Sequence, residues 1–333
     1  METHDVIVVG GGPAGSSCAA ELVRGGADVL VLDRETFPRL KLCAGWVTPD
    51  VLQSLALAPA DYPHRFLTFD HLRVDVRGVR FRLGTVQHSI RRYEFDAFLL
   101  ERSRAPVARH NVREIRRDGG GYVVDDVYRC RYLVGAGGTR CPVHRTFFQA
   151  ASPRAKGLQI ATLEHEFEYQ WTDPSCHLWF FDQGLPGYSW YVPKGDGWVN
   201  CGVGAMAEKL KASDGDLRSH WNHLLDVLDR AGLVRGVRPQ AKGYSYFLRG
   251  DVGRVRVDDA FVCGDSVGLA TVDLGEGIGP AIRSGQLAAR AILDGSEYSL
   301  RDVAAYSPVK PWLARGLDRW RRWREDRAVS HAA

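Results

Sequence analysis

Val6-Ile7-Val8-Val9-Gly10-Gly11-Gly12-Pro13-Ala14-Gly15 decides the fold of this chain. The first four residues form a short, continuous apolar run of the kind a buried parallel strand shows. The glycines end it, and Ser16-Ser17-Cys18-Ala19-Ala20-Glu21-Leu22 then reads as a helix. Gly10 permits a tight turn, Gly12 lets the backbone approach a pyrophosphate, and Gly15 lets helix and strand pack closely. Pro13 and Ala14 open a helix whose N-terminus offers unpaired N–H groups and a positive dipole to phosphate. Val29-Leu30-Val31-Leu32 reads as a second strand ending at Asp33. That carboxylate lies about 20 residues past the glycines, where a ribose hydroxyl needs an acceptor. Arg34 beside it reads as a cation that stacks on adenine, or as a solvated surface charge. The plain alternative for the whole unit is a tight strand–helix turn with no ligand.

The chain has 333 residues, enough for about two domains. Its charged and hydrophobic fractions, 25% and 45%, are those of an ordinary globular protein. A net charge of +4 is too mild to argue for nucleic acid. No apolar run approaches the ~20 residues of a membrane span, and the N-terminus shows no secretory pattern. The seven cysteines are scattered without a C-x-x-C pair. That usage predicts reduced thiols, a cytoplasmic setting, and no disulfide or metal framework.

Farther along, Arg92-Tyr93-Glu94-Phe95-Asp96-Ala97-Phe98-Leu99-Leu100 reads as a helix start. Tyr122–Val124 and Tyr132–Val134 read as strands, the second ending in the backbone-exposing turn Gly135-Ala136-Gly137-Gly138. Leu158–Tyr169, Leu178–Phe181, Tyr188–Val192 and Trp198–Val203 alternate in the manner of antiparallel sheet. Leu217, Trp221, Leu224, Leu225 and Leu228 have helical spacing. Phe261-Val262-Cys263-Gly264-Asp265 is a strand running into a turn, and Ile278–Leu293 a helix. The expected architecture is α/β: a Rossmann-like nucleotide domain (1–65, 90–150 and 250–300) with an inserted antiparallel β-sheet substrate domain (66–89 and 151–249) and C-terminal helices. Residues 301–333 are expected as a basic amphipathic helix.

Gly264-Asp265 and the turn Gly275-Glu276-Gly277-Ile278-Gly279, taken with Gly10–Gly15, resemble the FAD-binding core of para-hydroxybenzoate-hydroxylase-like flavoproteins. The resemblance implies that Asp265 holds the ribityl chain and that Gly275, Gly277 and Ile278 present backbone N–H groups to the flavin ring. Three further stretches resemble the geranylgeranyl reductase family. They are Pro38-Arg39-Leu40-Lys41-Leu42-Cys43-Ala44-Gly45, Arg92-x-x-Phe95-Asp96, and Tyr188-x-Trp190-x-Val192-Pro193 followed by Asn200-Cys201-Gly202-Val203-Gly204. By that resemblance Lys41, Cys43, Arg92 and Gly137 join the cofactor-binding set, and Cys43, Trp190 and Tyr188 are the candidate catalytic residues. The chain departs from the family pattern at Ala44, Val192 and Val272, so substrate identity does not carry over.

The resemblance implies a flavin oxidoreductase acting on a hydrophobic or aromatic molecule, by alkene reduction of the geranylgeranyl-reductase type. A flavin monooxygenase in natural-product tailoring or protein-cofactor maturation is the nearest alternative. A non-catalytic nucleotide-binding module is the alternative from another class. Both enzymes need an enclosed pocket, for which Tyr188, Trp190 and Trp198 are candidate walls or plain core. Cys43 is a candidate proton donor, with Arg39 and Lys41 as cations that would favour its thiolate, or else a small buried hydrophobe. No second dinucleotide fingerprint is present, so electrons are expected from transiently docked NAD(P)H or from a reductase protein. Trp312, Leu313, Leu317, Trp320 and Trp323 form an apolar stripe among Arg315, Arg319, Arg321, Arg322, Arg324 and Arg327. Such a helix lies on an anionic membrane surface or meets a protein, or else docks on the core with its charged face solvated.

Overall fold

The structure, a computed structural model, describes residues 1–307. Its first elements are β1 (Glu2–Val9), α1 (Pro13–Arg24), β2 (Val29–Asp33), β3 (Trp46–Val47), α2 (Pro49–Ser54), β4 (Leu67–Val76), β5 (Val79–Ser89) and α3 (Arg92–Ser103). Then come β6 (Val107–Arg109), β7 (Ile115–Asp118), β8 (Gly121–Val124), β9 (Tyr128–Gly135), α4 (Pro142–Phe147), β10 (Gln159–Glu168), β11 (Cys176–Phe180) and β12 (Gly187–Lys194). β13 (Trp198–Met206), α5 (Ala207–Ala212), α6 (Leu217–Arg230), β14 (Lys242–Phe247), β15 (Arg256–Val257), β16 (Ala260–Val262) and α7 (Ile278–Asp294) complete the series. The chain divides into two units. One comprises 1–36, 98–154 and 248 onward, the other 37–97 and 155–247. Residues 37–65 and 90–97, which the sequence reading groups with the nucleotide domain, fall in the second.

The first unit is built on the order β15-β16-β9-β1-β2-β6, with β7 and β8 attached beside β9. β16, β9, β1, β2 and β6 run parallel. The buried face of β1 explains the continuous apolar run: Val6, Ile7, Val8 and Val9 are all buried, as parallel strands covered on both faces require. Ile7, Val9, Leu30, Leu32, Leu133 and Val262 share one core.

The second unit is the sheet β14-β10-β13-β12-β11-β4-β5-β3. It differs from the expected antiparallel sheet in one respect, because β11 pairs with β4 in parallel, Cys176 opposite Leu72 through Phe180 opposite Val76. The long hairpin β4–β5 is what the alternation rule missed, since arginines crowd its tip. One sheet face carries Tyr191, Val199, Cys201, Val203 and Ala205, covered by Trp221, Leu224, Leu225 and Leu228 of α6. All seven cysteines are free thiols. No described helix is long and apolar enough to cross a membrane, and no described cluster of three His, Cys, Asp or Glu residues could hold a metal. Residues 301–307 form turns, and the rest of the expected basic helix lies outside the described residues.

Candidate functional site

In the first unit the nucleotide-type residues gather at the C-terminal ends of the parallel strands, where open α/β sheets bind ligands. Gly10, with φ at 112°, donates its N–H to Leu32 O at 2.8 Å. Ala136 N–H reaches Val9 O at 2.8 Å and Cys263 N–H reaches Gly135 O at 3.1 Å. The turns after β1, β9 and β16 are thereby tied to neighbouring strand ends, bringing Gly137 and Gly264 to the same edge. A Cβ on Gly15 would stand 1.8 Å from Gly10 O, so only glycine lets α1 leave the turn at this angle. Asp33 accepts from Gly11 N–H at 2.8 Å and from Glu35 N–H at 2.9 Å. Each carboxylate oxygen keeps lone-pair capacity for a further donor. Arg34 is exposed beside Glu35, 3.5 Å away.

The two separated motifs meet where α1 packs on α7. A Cβ on Gly264 would lie 3.1 Å from Ala14 Cβ and 3.3 Å from Ala281 Cβ, and one on Gly285 would lie 2.1 Å from Ala14 O. Gly285 carried no signal in the sequence, yet it sets the helix–helix distance. Gly285→Ala is expected to cost about 1–3 kcal/mol of stability, as overpacking does. Urea unfolding checks this, with a weakened FAD affinity measured by fluorescence titration as the accompanying result. α7 begins at Ile278 after Gly275 (φ 67°) and its N-cap Gly277, whose Cβ would lie 3.4 Å from Asp265 Oδ1. Glu276 Oε1 accepts from Gly279 N–H at 2.6 Å, and Glu276 N–H is held by Thr271 Oγ1 at 3.0 Å. Burial first, then the carboxylates of Asp273 and Asp265, push the Glu276 carboxyl up to about 7 against the Gly279 hydrogen bond.

The second unit holds the other sequence-selected residues. Arg92 forms a two-pronged ion pair with Asp96, 2.6 Å from Nε to Oδ1 and 2.8 Å from Nη2 to Oδ2, with both residues buried. Burial works against the Arg92 charge, but Asp96 and then a hydrogen bond with Cys43 raise its pKa above the ordinary arginine range. Arg92 is therefore the cation at the Cys43 thiol. Arg39, expected there from the sequence, pairs with Asp96 at 3.2 Å, and the Lys41 ammonium sits over the Tyr244 ring, 3.2 Å from its centroid. Cys43 Sγ accepts from Gly45 N–H at 3.3 Å.

Around Trp190 the sheet face opposite α6 carries a polar network. The indole Nε1–H donates to Asn200 Oδ1 at 2.7 Å. Asn200 Nδ2 donates to Cys43 O at 3.3 Å and to Glu164 Oε2 at 3.2 Å. Glu164 is 2% exposed. Burial, with the like charge of Glu166, pushes its carboxyl up to about 7 against Lys41, the Asn200 hydrogen bond and Lys194. Lys194 donates to Ala44 O at 2.8 Å and to Ile90 O, and lies 3.4 Å from Glu166. Arg91 binds Glu166 at 3.0 Å and lies over Trp198, 3.4 Å from its centroid. Tyr188 flanks Trp190 with ring centroids 5.7 Å apart, and Phe180 flanks Tyr188 at 5.1 Å. No sequence motif marks Glu164. Its signal was present in strand alternation, which puts it on one face with Thr162 and Glu166 and opposite Gly202.

Residues 5–51 match the family described as FAD dependent oxidoreductase (DAO). The menaquinone reductase of Mycobacterium tuberculosis strain H37Rv is 31% identical over 336 residues, covering 92% of this chain and 79% of that protein. Digeranylgeranylglycerophospholipid reductase 1 of Methanothermobacter thermautotrophicus is 27% identical over 351 residues, covering 93% and 86%. The solved structure of a geranylgeranyl bacteriochlorophyll reductase-like protein from Thermoplasma acidophilum superposes with a TM-score of 0.77 at 22% identity, covering 96% and 84%. The chain belongs to the geranylgeranyl reductase family.

It is accordingly an FAD-dependent oxidoreductase, and the first unit fits that cofactor. α1 starts at Gly12 with no side-chain cap and no acidic residue in its first turn, which leaves its N–H groups for a diphosphate. The Asp265 side chain makes no hydrogen bond or ion pair among the described residues, which leaves both its oxygens for hydroxyl donors. The second unit gives the physical sense of the geranylgeranyl reductase pattern Asn200-Cys201-Gly202-Val203-Gly204. The Trp190 indole lies across both glycines: a Cβ on Gly202 would stand 2.1 Å from Trp190 Cζ2, and one on Gly204 3.3 Å from Cζ3. Gly202→Ala is expected to lose about 1–3 kcal/mol by overpacking. Thermal denaturation together with a changed tryptophan emission band would register it.

Proposed function

We propose that this chain saturates carbon–carbon double bonds in an isoprenoid chain carried by a lipid or quinone. In this reading the first unit holds FAD through Gly10, Gly12, Pro13, Ala14, Gly15, Asp33, Gly137, Gly264, Asp265, Gly275, Gly277 and Ile278. The second unit binds the substrate. The observation that carries the reading is a sheet face made of Tyr244, Tyr246, Trp190, Tyr188 and Phe180 with one buried acid, Glu164, set into it. Aromatic and aliphatic side chains complement a polyprenyl tail, and a single acid suits one proton transfer. The names of the reductase relatives point the same way.

FAD supplies, when bound and reduced, two electrons as a hydride to one alkene carbon. The other carbon needs a proton. Glu164 accepts the Asn200 N–H at Oε2, which leaves Oε1 to carry that proton near neutral pH. Asn200 positions the acid and the Trp190 indole at once. Cys43, hydrogen-bonded to Arg92, is the second candidate proton donor. Electrons come from NAD(P)H or a reductase protein, and the enzyme works in the cytoplasm at lipid surfaces.

The test is anaerobic incubation of FAD-loaded, dithionite-reduced protein with a menaquinone or a geranylgeranyl lipid, followed by mass spectrometry. The expected product gains two hydrogens per double bond, and Glu164→Gln slows its formation by about 100-fold or more. A product formed only with oxygen and heavier by one oxygen atom would replace this reading with the monooxygenase. A protein that takes up no FAD would leave only the nucleotide-binding module.

A further inference from the structure

Within the second unit the sheet face that carries Trp190 continues past the aromatic cluster. It runs outward across strands by register: Trp190 lies opposite Leu178, Tyr188 opposite Phe180, Leu178 opposite Val74, Phe180 opposite Val76, Val74 opposite Phe81, and Val76 opposite Val79. Neighbouring strands are about 4.8 Å apart, so three strand steps carry this face roughly 14 Å from Trp190 to the hairpin. Trp190 is 4% exposed, whereas Phe81 is 47% and Val79 68% exposed. Phe181 adds a further exposed ring at 45% beside the tip, where Arg77 N–H binds Phe180 O at 3.3 Å. Large apolar residues standing together in water mark an interaction surface.

The charge at this tip is net positive. Residues 73–82 hold Arg73, Arg77, Arg80 and Arg82 against a single acid, Asp75. Asp75 pairs with Arg80 at 3.1 Å, and Arg73 lies 3.7 Å from Asp173. Arg77 lies over the Phe181 ring, 5.6 Å from its centroid, and neither it nor Arg82 forms an ion pair among the described residues. Alternation along β5 sends Val79 and Phe81 to one face and Arg80 and Arg82 to the other. Arginines on an exposed edge strand also guard against strand pairing, but that duty leaves the exposed Val79 and Phe81 unexplained.

The geometry points to the β4–β5 tip as a docking element for an anionic lipid surface, with Val79, Phe81 and Phe181 entering the acyl boundary and Arg77, Arg80 and Arg82 meeting phosphate headgroups. Apolar side chains supply burial and each arginine adds attraction to anionic lipid, which is the pairing such surfaces select. Behind the tip the same face is already buried, Val74 at 6% and Leu178 at 1% exposure, so the docking surface is the tip itself. Docking itself needs no turnover, so it stands or falls apart from the reductase reading.

The experiment uses the full chain loaded with FAD, without substrate. Vesicles of phosphatidylcholine with about 30% phosphatidylglycerol are compared with phosphatidylcholine alone by co-sedimentation. The wild-type protein is expected to bind the anionic vesicles at least tenfold more tightly, and to lose that binding as salt is raised. The variant Val79→Ser with Phe81→Ser, its melting curve and FAD content checked, is expected to bind at least tenfold more weakly. Hydrogen exchange of the wild-type protein is expected to slow at residues 77–83 when anionic vesicles are added. Protection confined to 308–333, or vesicle binding equal in variant and wild type, would overturn the assignment. So would a concentration-dependent dimer abolished by the same variant, which would give the tip to a second copy of the chain.

Discussion

Glu164→Gln is expected to make the protein more stable than wild type above neutral pH, by about 3 kcal/mol. Burial raises the Glu164 carboxyl from 4.5 to about 7. Between those values the fold keeps a proton that the unfolded chain has lost. The stability that Glu164 contributes therefore falls as pH rises through the window from about 4.5 to about 7, and levels off above it. Glutamine mimics the protonated acid. Its amide oxygen accepts the Asn200 N–H, and no charge has to be buried. Glu276 is raised over the same window for the same first reason, burial, with Asp273 and Asp265 adding to it. Its replacement by glutamine keeps an acceptor for Gly279 N–H and is expected to remove a similar share. Urea unfolding from pH about 5 to about 8 checks both. Each single variant should lessen the decline, and the double variant should turn it into a rise, because burial holds His88, His144, His177 and His220 below the ordinary histidine range. A Glu164→Gln curve parallel to wild type would show that the carboxyl does not titrate in this window.

Asp96→Ala is expected to cost about 3–5 kcal/mol, enough to threaten folding. Asp96 is fully buried and serves two guanidinium groups, Arg92 at 2.6 and 2.8 Å and Arg39 at 3.2 Å. Its removal leaves the buried Arg92 charge with Cys43 as its remaining listener, too weak a partner to offset desolvation. Replacing the pair together, Arg92→Met with Asp96→Leu, is expected to restore much of the loss, because two well-packed apolar side chains need no charge compensation. Chemical denaturation of wild type, Asp96→Ala and the double variant at one pH makes the comparison. A single-variant loss below about 1 kcal/mol would place the pair among solvated ion pairs.

The sequence motif Arg92-x-x-Phe95-Asp96 was legible, but its meaning was not. The helix spacing puts Arg92 and Asp96 on one face, which any reader of the sequence can infer. That this face is buried, and that Arg92 rather than Arg39 or Lys41 reaches Cys43, depends on what packs over it. Glu164 and Asn200 lie 36 residues apart and meet only because β10 and β13 pair in one register. The β4–β5 tip carries no signal in the sequence, because its exposed valine and phenylalanine alternate with arginines and read as ordinary surface.

The glycines and apolar runs at Val6–Gly15 and Phe261–Gly279 specified a nucleotide fold by themselves, since strand, turn and helix start are local and tolerate few residue types. Charge states, the partner of the Cys43 thiol, the platform under Trp190 and the contact between Gly285 and Ala14 were decided only in three dimensions. The reason is physical: each depends on removing water from a side chain, and the neighbours that do so arrive from distant parts of the chain.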